Sequence, residues 1–241
     1  MARIQKAFER RFRELFAELG ARDREKGLAW IHRKAEQLLH TADPSSSKSA
    51  TAPTLSHAYT EIAIAILNRT RPFRQKHQGR HASNHTHPPR VHCDAGLGGL
   101  ARWLRAAGCE AFWRQDIADA ELVRETQQHG GILLTTDSLL LDRRPIVRGE
   151  IRALWIPPTL TMHEQLRYVR AELNLPVTDE SRCMRCGGEL AQVNKEQVRD
   201  RIPPRTYKWL NEFFECTNCH QLFWEGTHWQ RIQTKVKTAT H

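Results

Sequence analysis

Residues 90–137 read RVHCDAGLGGLARWLRAAGCEAFWRQDIADAELVRETQQHGGILLTTD, and this stretch decides the fold. Two hydrophobic periods alternate in it. A short strand signal, Arg90 to Asp94, leads into LGGLARWLRAAG, whose apolar residues recur at helical spacing until Gly108 can end the helix. Cys109 to Trp113 reads as a second strand, Asp119 opens the helix AELVRETQQHG, and Ile132 to Thr136 is a third strand, apolar enough to be buried. Further on, Ile151 to Ile156 reads as a fourth strand, and Thr161 with Glu164 has the spacing of a capping box for a helix running to about Asn174. Strands alternating with helices predict an α/β fold with a parallel, doubly wound sheet and helices on both faces.

In such a sheet chemistry gathers beyond the carboxyl ends of the strands, near the point where strand order reverses. Three carboxylates reach that edge. Asp94 ends the first strand, Asp137 ends the third, and Asp119 sits where the second helix begins, with Asp116, Glu121 and Asp142 close in sequence. Packed together they would repel, unless a hard divalent cation such as Mg²⁺ or Mn²⁺ removed the penalty. That ion would suit metal-assisted hydrolysis of a phosphodiester. Each aspartate also has a plainer reading, because all three precede helical segments, where Asp is a favoured N-cap worth about 1 kcal/mol.

Cys183 and Cys186 form one CxxC and Cys216 and Cys219 another. Two such pairs supply four thiolates for a tetrahedral, structural Zn²⁺ that folds its module and leaves no open position for water. Cys93 and Cys109 fall outside that spacing and read as small core residues. The cysteine module also holds Tyr207, Trp209, Phe213, Phe214, Phe223, Trp224 and Trp229 among Arg199, Arg201, Arg205, Lys208 and Arg231. Most of these rings are expected to serve the module's own core, with His228 and Trp229, beyond the last cysteine, left as RNA-binding candidates.

Residues 1–42 read as a basic extension of two amphipathic helices, with Gly20 and Gly27 bracketing the turn, and residues 43–89 as a linker region holding one short helix or strand over 57–68. His77, His81 and His85 stand four apart, but Gly79, Ser83 and Asn84 favour a flexible polar tract over a metal-binding helix. The chain of 241 residues has a formal net charge of +10, a pI near 9.7 and a mean hydropathy of −0.62. The charge is uneven: residues 91–180 are net −3, whereas residues 1–40, 41–90 and 181–241 are +4, +5 and +4. Basic flanks around an acidic middle suit a phosphate-backbone partner, with residues 1–40 serving either to grip RNA or as a site for a protein partner or self-association. The longest apolar run, Ile62 to Leu67, is far short of a membrane span, and MARIQKAFERRF lacks the apolar core of a secretion signal, so the expected address is cytoplasmic.

The ordered set HCDAGLGGLARWLRAAGCEAFW, DIADAELV, GGILLTTDSLLL, SRCMRCGGEL and FFECTNCHQLFWEGTHW resembles the Mut-seven C-terminal RNase domain family. The resemblance covers about residues 90–232 and implies a PIN-like nuclease domain at 90–176 followed by a zinc ribbon at 177–241. It implies Asp94, Asp119 and Asp137 as the acidic ligands of catalytic Mg²⁺ or Mn²⁺, Asp142 as a fourth catalytic candidate, and the four cysteines as zinc ligands. The LARWLR match makes Arg102 and Arg105 candidate RNA contacts. Two positions depart from the family pattern: Thr136 stands where a basic residue often precedes the third aspartate, and Gly187 where Asn is common. The expected activity is a metal-dependent ribonuclease acting on RNA, single-stranded in form, with a non-catalytic RNA-binding adaptor as the alternative; a DNA-directed nuclease also stays open.

Overall fold

The computed structural model describes residues 2–41, 54–78, 90–175, 181–224 and 234. Three helices lead, α1 (Ala2–Glu18), α2 (Arg24–Thr41) and α3 (Leu55–Gln78). Alternation follows from residue 91: β1 (Val91–Cys93), α4 (Gly98–Ala106), β2 (Ala111–Trp113), α5 (Asp119–His129), β3 (Ile132–Thr135), the single turn α6 (Arg144–Val147), β4 (Arg152–Trp155) and α7 (Met162–Leu173). The remainder forms β5 (Leu190–Val193), α8 (Pro204–Trp209), β6 (Phe213–Cys216) and β7 (Leu222–Trp224). Contacts divide the chain into two units, Met1–His85 with Trp155–Asn174, and Thr86–Leu154 with Leu175–His241.

In the second unit β1 is central. It pairs in parallel with β2, Val91 opposite Ala111, and with β3, Val91 opposite Ile132, and β4 completes the order β2-β1-β3-β4. The β1–α4–β2 and β2–α5–β3 crossovers run in opposite directions along the sheet, so their common right-handedness puts α4 and α5 on opposite faces. Strand order therefore reverses between β1 and β3. Val91, Cys93, Leu133 and Leu134 are fully buried, as a two-faced parallel sheet requires. On the α5 side Ile117, Leu122, Val123, Leu133, Leu140 and Ile151 form one apolar cluster. This architecture is consistent with a PIN-like domain.

A second sheet, β5-β6-β7, is antiparallel, with Leu190 opposite Cys216 and Phe213 opposite Trp224. Its core is small: Val198, Ile202, Phe213 and Leu222, flanked by Val193, Tyr207, Leu210 and Trp224. Phe213, Tyr207 and Trp224 thus serve the module's own packing. Trp209 does not, being 70% exposed.

The first unit is a helical bundle. Phe8 and Phe12 on α1 meet Tyr59 on α3 at ring distances of 5.1 and 6.2 Å, and Phe8 meets Trp155 edge-on at 5.2 Å. The segment 57–68, which alternates like a strand at Ile62, Ile64 and Ile66, is helical, and α3 continues to Gln78, ten residues past the expected end of that short element. The reason is the buried stripe Tyr59, Ile62, Ala63 and Leu67, which recurs at helical period and seats α3 against the other helices. Gly20, with φ +67, lies in the α1–α2 turn, but Gly27 lies within α2. A Cβ there would sit 2.7 Å from the Phe16 ring, so Gly27 permits close helix approach and does not bracket the turn. No helix among the described residues is long and apolar enough to cross a membrane.

Candidate metal centres

Asp94 follows β1 and Thr135, Thr136 and Asp137 follow one another at the end of β3, so the strand-order reversal brings them to one edge. Asp94 is buried. Its Oδ2 accepts from the Thr136 N–H at 2.6 Å, the Thr135 hydroxyl at 2.8 Å and the Thr136 hydroxyl at 3.1 Å. The plain capping role fails here, because Asp94 stands at the N-cap of the 3-10 turn Ala95–Leu97 yet makes no side-chain cap bond. Its Oδ1 is buried without a hydrogen-bond partner. A carboxylate oxygen so placed costs about 1–3 kcal/mol unless something satisfies it. Gly96 keeps the space beside it clear, since a Cβ there would lie 3.4 Å from that oxygen and 3.5 Å from the Thr136 hydroxyl. A buried, unsatisfied hard oxygen beside a residue that carries no side chain suits a divalent cation.

The other carboxylates are placed differently. Asp137 is half-buried; its N–H donates to the Thr135 hydroxyl at 2.9 Å, and its Oδ1 accepts from the Leu139 N–H at 2.9 Å, a local turn bond. Asp119 is exposed at the first turn of α5, where Ala118 is the N-cap, so it complements the helix dipole without capping. Asp142 is exposed at the end of a 3-10 turn, and Glu121 pairs with Arg114 at 2.6 Å. Among the described residues, only one group of three or more ligand-type side chains lies within 4.8 Å of one another, and it is not the aspartates.

That group is Cys183, Cys186, Cys216 and Cys219. All four are free thiols, with Cys183 Sγ 3.6 Å from Cys219 Sγ and Cys186 Sγ 3.4 Å from Cys216 Sγ, too far for disulfides and suited to a metal such as zinc. Burial pushes the Cys183 thiol up to about 12. For Cys186 burial also acts upward, but the Gly188 N–H and the neighbouring thiols outweigh it and bring the group down to about 7. The knuckle's turn suits Gly187, whose φ is +85, a backbone that Gly adopts without strain. Cys93 and Cys109 are buried core residues apart from this group.

The two arginines of LARWLR part company. Arg102 is exposed, as a ligand contact requires. Arg105 is buried, and the expectation that it contacts RNA is corrected by its partners: Nε donates to the Ala111 carbonyl at 2.8 Å and Nη1 to those of Met184 and Arg185 at 3.2 and 2.9 Å. It ties the first CxxC knuckle to β2. The Arg182 N–H returns a bond to the Arg105 carbonyl at 2.8 Å. His228 and Trp229 lie outside the described residues, as do His81 and His85 and the side chain of His77. Sequence reasoning missed the grip of Thr135 and Thr136 on Asp94; the available signal was two consecutive hydroxyl residues closing an otherwise apolar strand.

A doubly wound sheet with a buried carboxylate at its switch point, joined to a four-cysteine module that could hold a metal such as zinc, defines the class of α/β domain. Comparison with protein families matches residues 89–236, more than half of the chain, to the Mut7-C RNAse domain, and the chain belongs to that family. No curated protein and no solved structure matches it.

Proposed function

We propose that this protein is a metal-dependent ribonuclease, with the nuclease domain at 90–176 and a zinc ribbon at 177–241. The observation that carries the reading is Asp94, whose Oδ2 is clamped by three donors while Oδ1 is buried and unsatisfied beside Gly96. Such fixation is what a ligand oxygen needs and what a helix cap does not. Asp94 with Asp137 and Asp119 would hold Mg²⁺ or Mn²⁺, with Asp142 as a fourth candidate, and Cys183, Cys186, Cys216 and Cys219 would hold Zn²⁺. When bound, the divalent ion supplies charge neutralisation at the phosphodiester and acidifies the attacking water. Thr135 and Thr136 fix the Asp94 carboxylate, and the Thr135 hydroxyl, bonded to both Asp94 and the Asp137 N–H, sets the spacing of the two acids. The dispersed aspartates fit a site that gathers on ion binding, because three like charges repel when nothing lies between them. Arg102 and the basic segments, with His228 and Trp229, would hold a single-stranded RNA in the cytoplasm.

The spacing of the aspartates is also what the alternative, a non-catalytic RNA-binding adaptor, requires. Cleavage of a labelled single-stranded RNA by zinc-loaded protein separates the two. With Mg²⁺ or Mn²⁺ added, wild type cleaves, Asp94→Asn does not, and Thr135→Val is slowed roughly 10- to 100-fold, the usual cost of losing a group that orients a metal ligand. Chelation is the weaker control, because it strips the cysteine site as well. Equal cleavage by wild type and Asp94→Asn, or none by folded wild type with either metal, would leave the aspartates with local structural roles alone.

A further inference from the structure

The outer face of α2 carries an exposed tryptophan among cations, outside the family's matched residues. Leu28, Ile31 and Ala35 are buried and point α2 into its bundle, which turns the opposite face to solvent. Trp30 stands on that face, 49% exposed. At 3.6 residues per turn, Lys26, Arg33, Lys34 and Gln37 fall within roughly 60° of it around the axis, and the helix's acids Glu25 and Glu36 fall roughly 140° and 120° away. Lys26 is taken up by Asp23 at 3.1 Å, whereas Arg33 and Lys34 are exposed and form no ion pair among the described residues.

A half-exposed indole is not explained by packing of its own bundle. The occupant that suits it has flat apolar faces and regular negative charge. We infer that this face of α2 binds single-stranded RNA, Trp30 stacking on a base and Arg33 and Lys34 meeting the adjacent phosphates. A membrane surface would need a broad apolar stripe, and the stripe of α2 is buried in the bundle. A second copy of the same face would set cation against cation. The inference rests on the ribonuclease reading only for the choice of RNA over other polyanions.

The test is fluorescence anisotropy of a labelled 12-mer RNA with the full zinc-loaded chain, without added Mg²⁺ or Mn²⁺. Trp30→Ala weakens binding about 5- to 150-fold, the range for one lost base stack, and Trp30→Phe restores binding to within about threefold of wild type. Arg33→Gln with Lys34→Gln makes the slope of log K against log salt shallower by about 1.4, at about 0.7 per phosphate contact on a single strand. Wild-type affinity and slope in all three variants would overturn the inference, as would Trp30-dependent capture by phosphatidylserine vesicles in the absence of RNA binding. Cleavage is scored separately: unchanged variants with an active nuclease sink the α2 site alone, and Trp30-dependent binding without cleavage sinks the ribonuclease reading alone.

Discussion

Replacing Arg105 with Met should loosen the cysteine knuckle from the sheet. The side chains are similar in length, so the change removes the guanidinium with little loss of volume. Three carbonyls, at Ala111, Met184 and Arg185, lose a charged donor at 2.8–3.2 Å. Bonds to a charged group contribute about 1.5–3 kcal/mol each, a gross near 5 kcal/mol at the lower end of that range. Part returns, because burial opposes the charge, as the downward shift of the Arg105 pKa by desolvation records. We expect a net loss of about 3 kcal/mol, between the value of one such bond and the upper range for breaking buried charged networks. At 1.4 kcal/mol per tenfold, zinc-loaded Arg105→Met should release its metal to a chromogenic chelator about 100-fold faster wherever release follows opening of the knuckle. Arg105→Lys should fall between, since an ammonium cannot span the three carbonyls that a planar fork reaches. Wild-type release rates in Arg105→Met, with an unchanged urea midpoint, would refute the reasoning.

Gly96→Ala places a methyl in van der Waals contact with Asp94 Oδ1, so the melting temperature should shift little while metal-dependent cleavage falls tenfold or more, measured side by side on one preparation. Arg11→Met strips the buried Glu172 of its bidentate partner, 2.8 Å at Nε, and should cost about 3–5 kcal/mol in urea unfolding of the helical unit. His92 is buried, donates Nε2–H to the Gly130 carbonyl at 3.0 Å and stacks on Phe112 at 5.0 Å. Burial holds its pKa below the ordinary 6.5. The unfolded chain therefore takes up a proton as pH falls through 6.5 while the folded chain does not, so stability is full above 6.5 and declines as pH drops toward the folded value. His92→Gln should flatten the dependence of the urea midpoint across that window; an unchanged slope would show that another group sets it.

The alternation of strand and helix from residue 90, the capping box at Thr161 and Glu164 and the two CxxC pairs were legible because each is a local pattern. The capping box is present, with both reciprocal bonds formed. What escaped were features set by distant residues. Arg102 and Arg105 read alike on a basic amphipathic helix, and only carbonyls some 80 positions away decide that one is exposed and the other buried. The three aspartates all precede helical segments in sequence; backbone geometry alone decides that Asp94 reaches across to β3, that Asp137 closes a local turn and that Asp119 sits one residue inside its helix. Isoleucine alternation at 62, 64 and 66 suggests a strand, and the helical stripe that seats α3 outweighs it.

The helical unit is assembled from two separated stretches of chain, and this bears on how the protein is made. Arg11 of α1 is matched to Glu172, Arg74 of α3 donates to the carbonyls of Ala171 and Glu172, and Glu61 pairs with Arg167, so α7 supplies the partners for charges near the amino terminus. During synthesis the first three helices leave the ribosome well before residue 174 does. At roughly 5–20 residues per second they wait several seconds with Phe8 lacking Trp155, and Arg11 and Arg74 lacking their partners at Ala171 and Glu172. An amino-terminal truncation at residue 89 would leave the converse defect, an α7 carrying a buried-type glutamate and no cation to meet it.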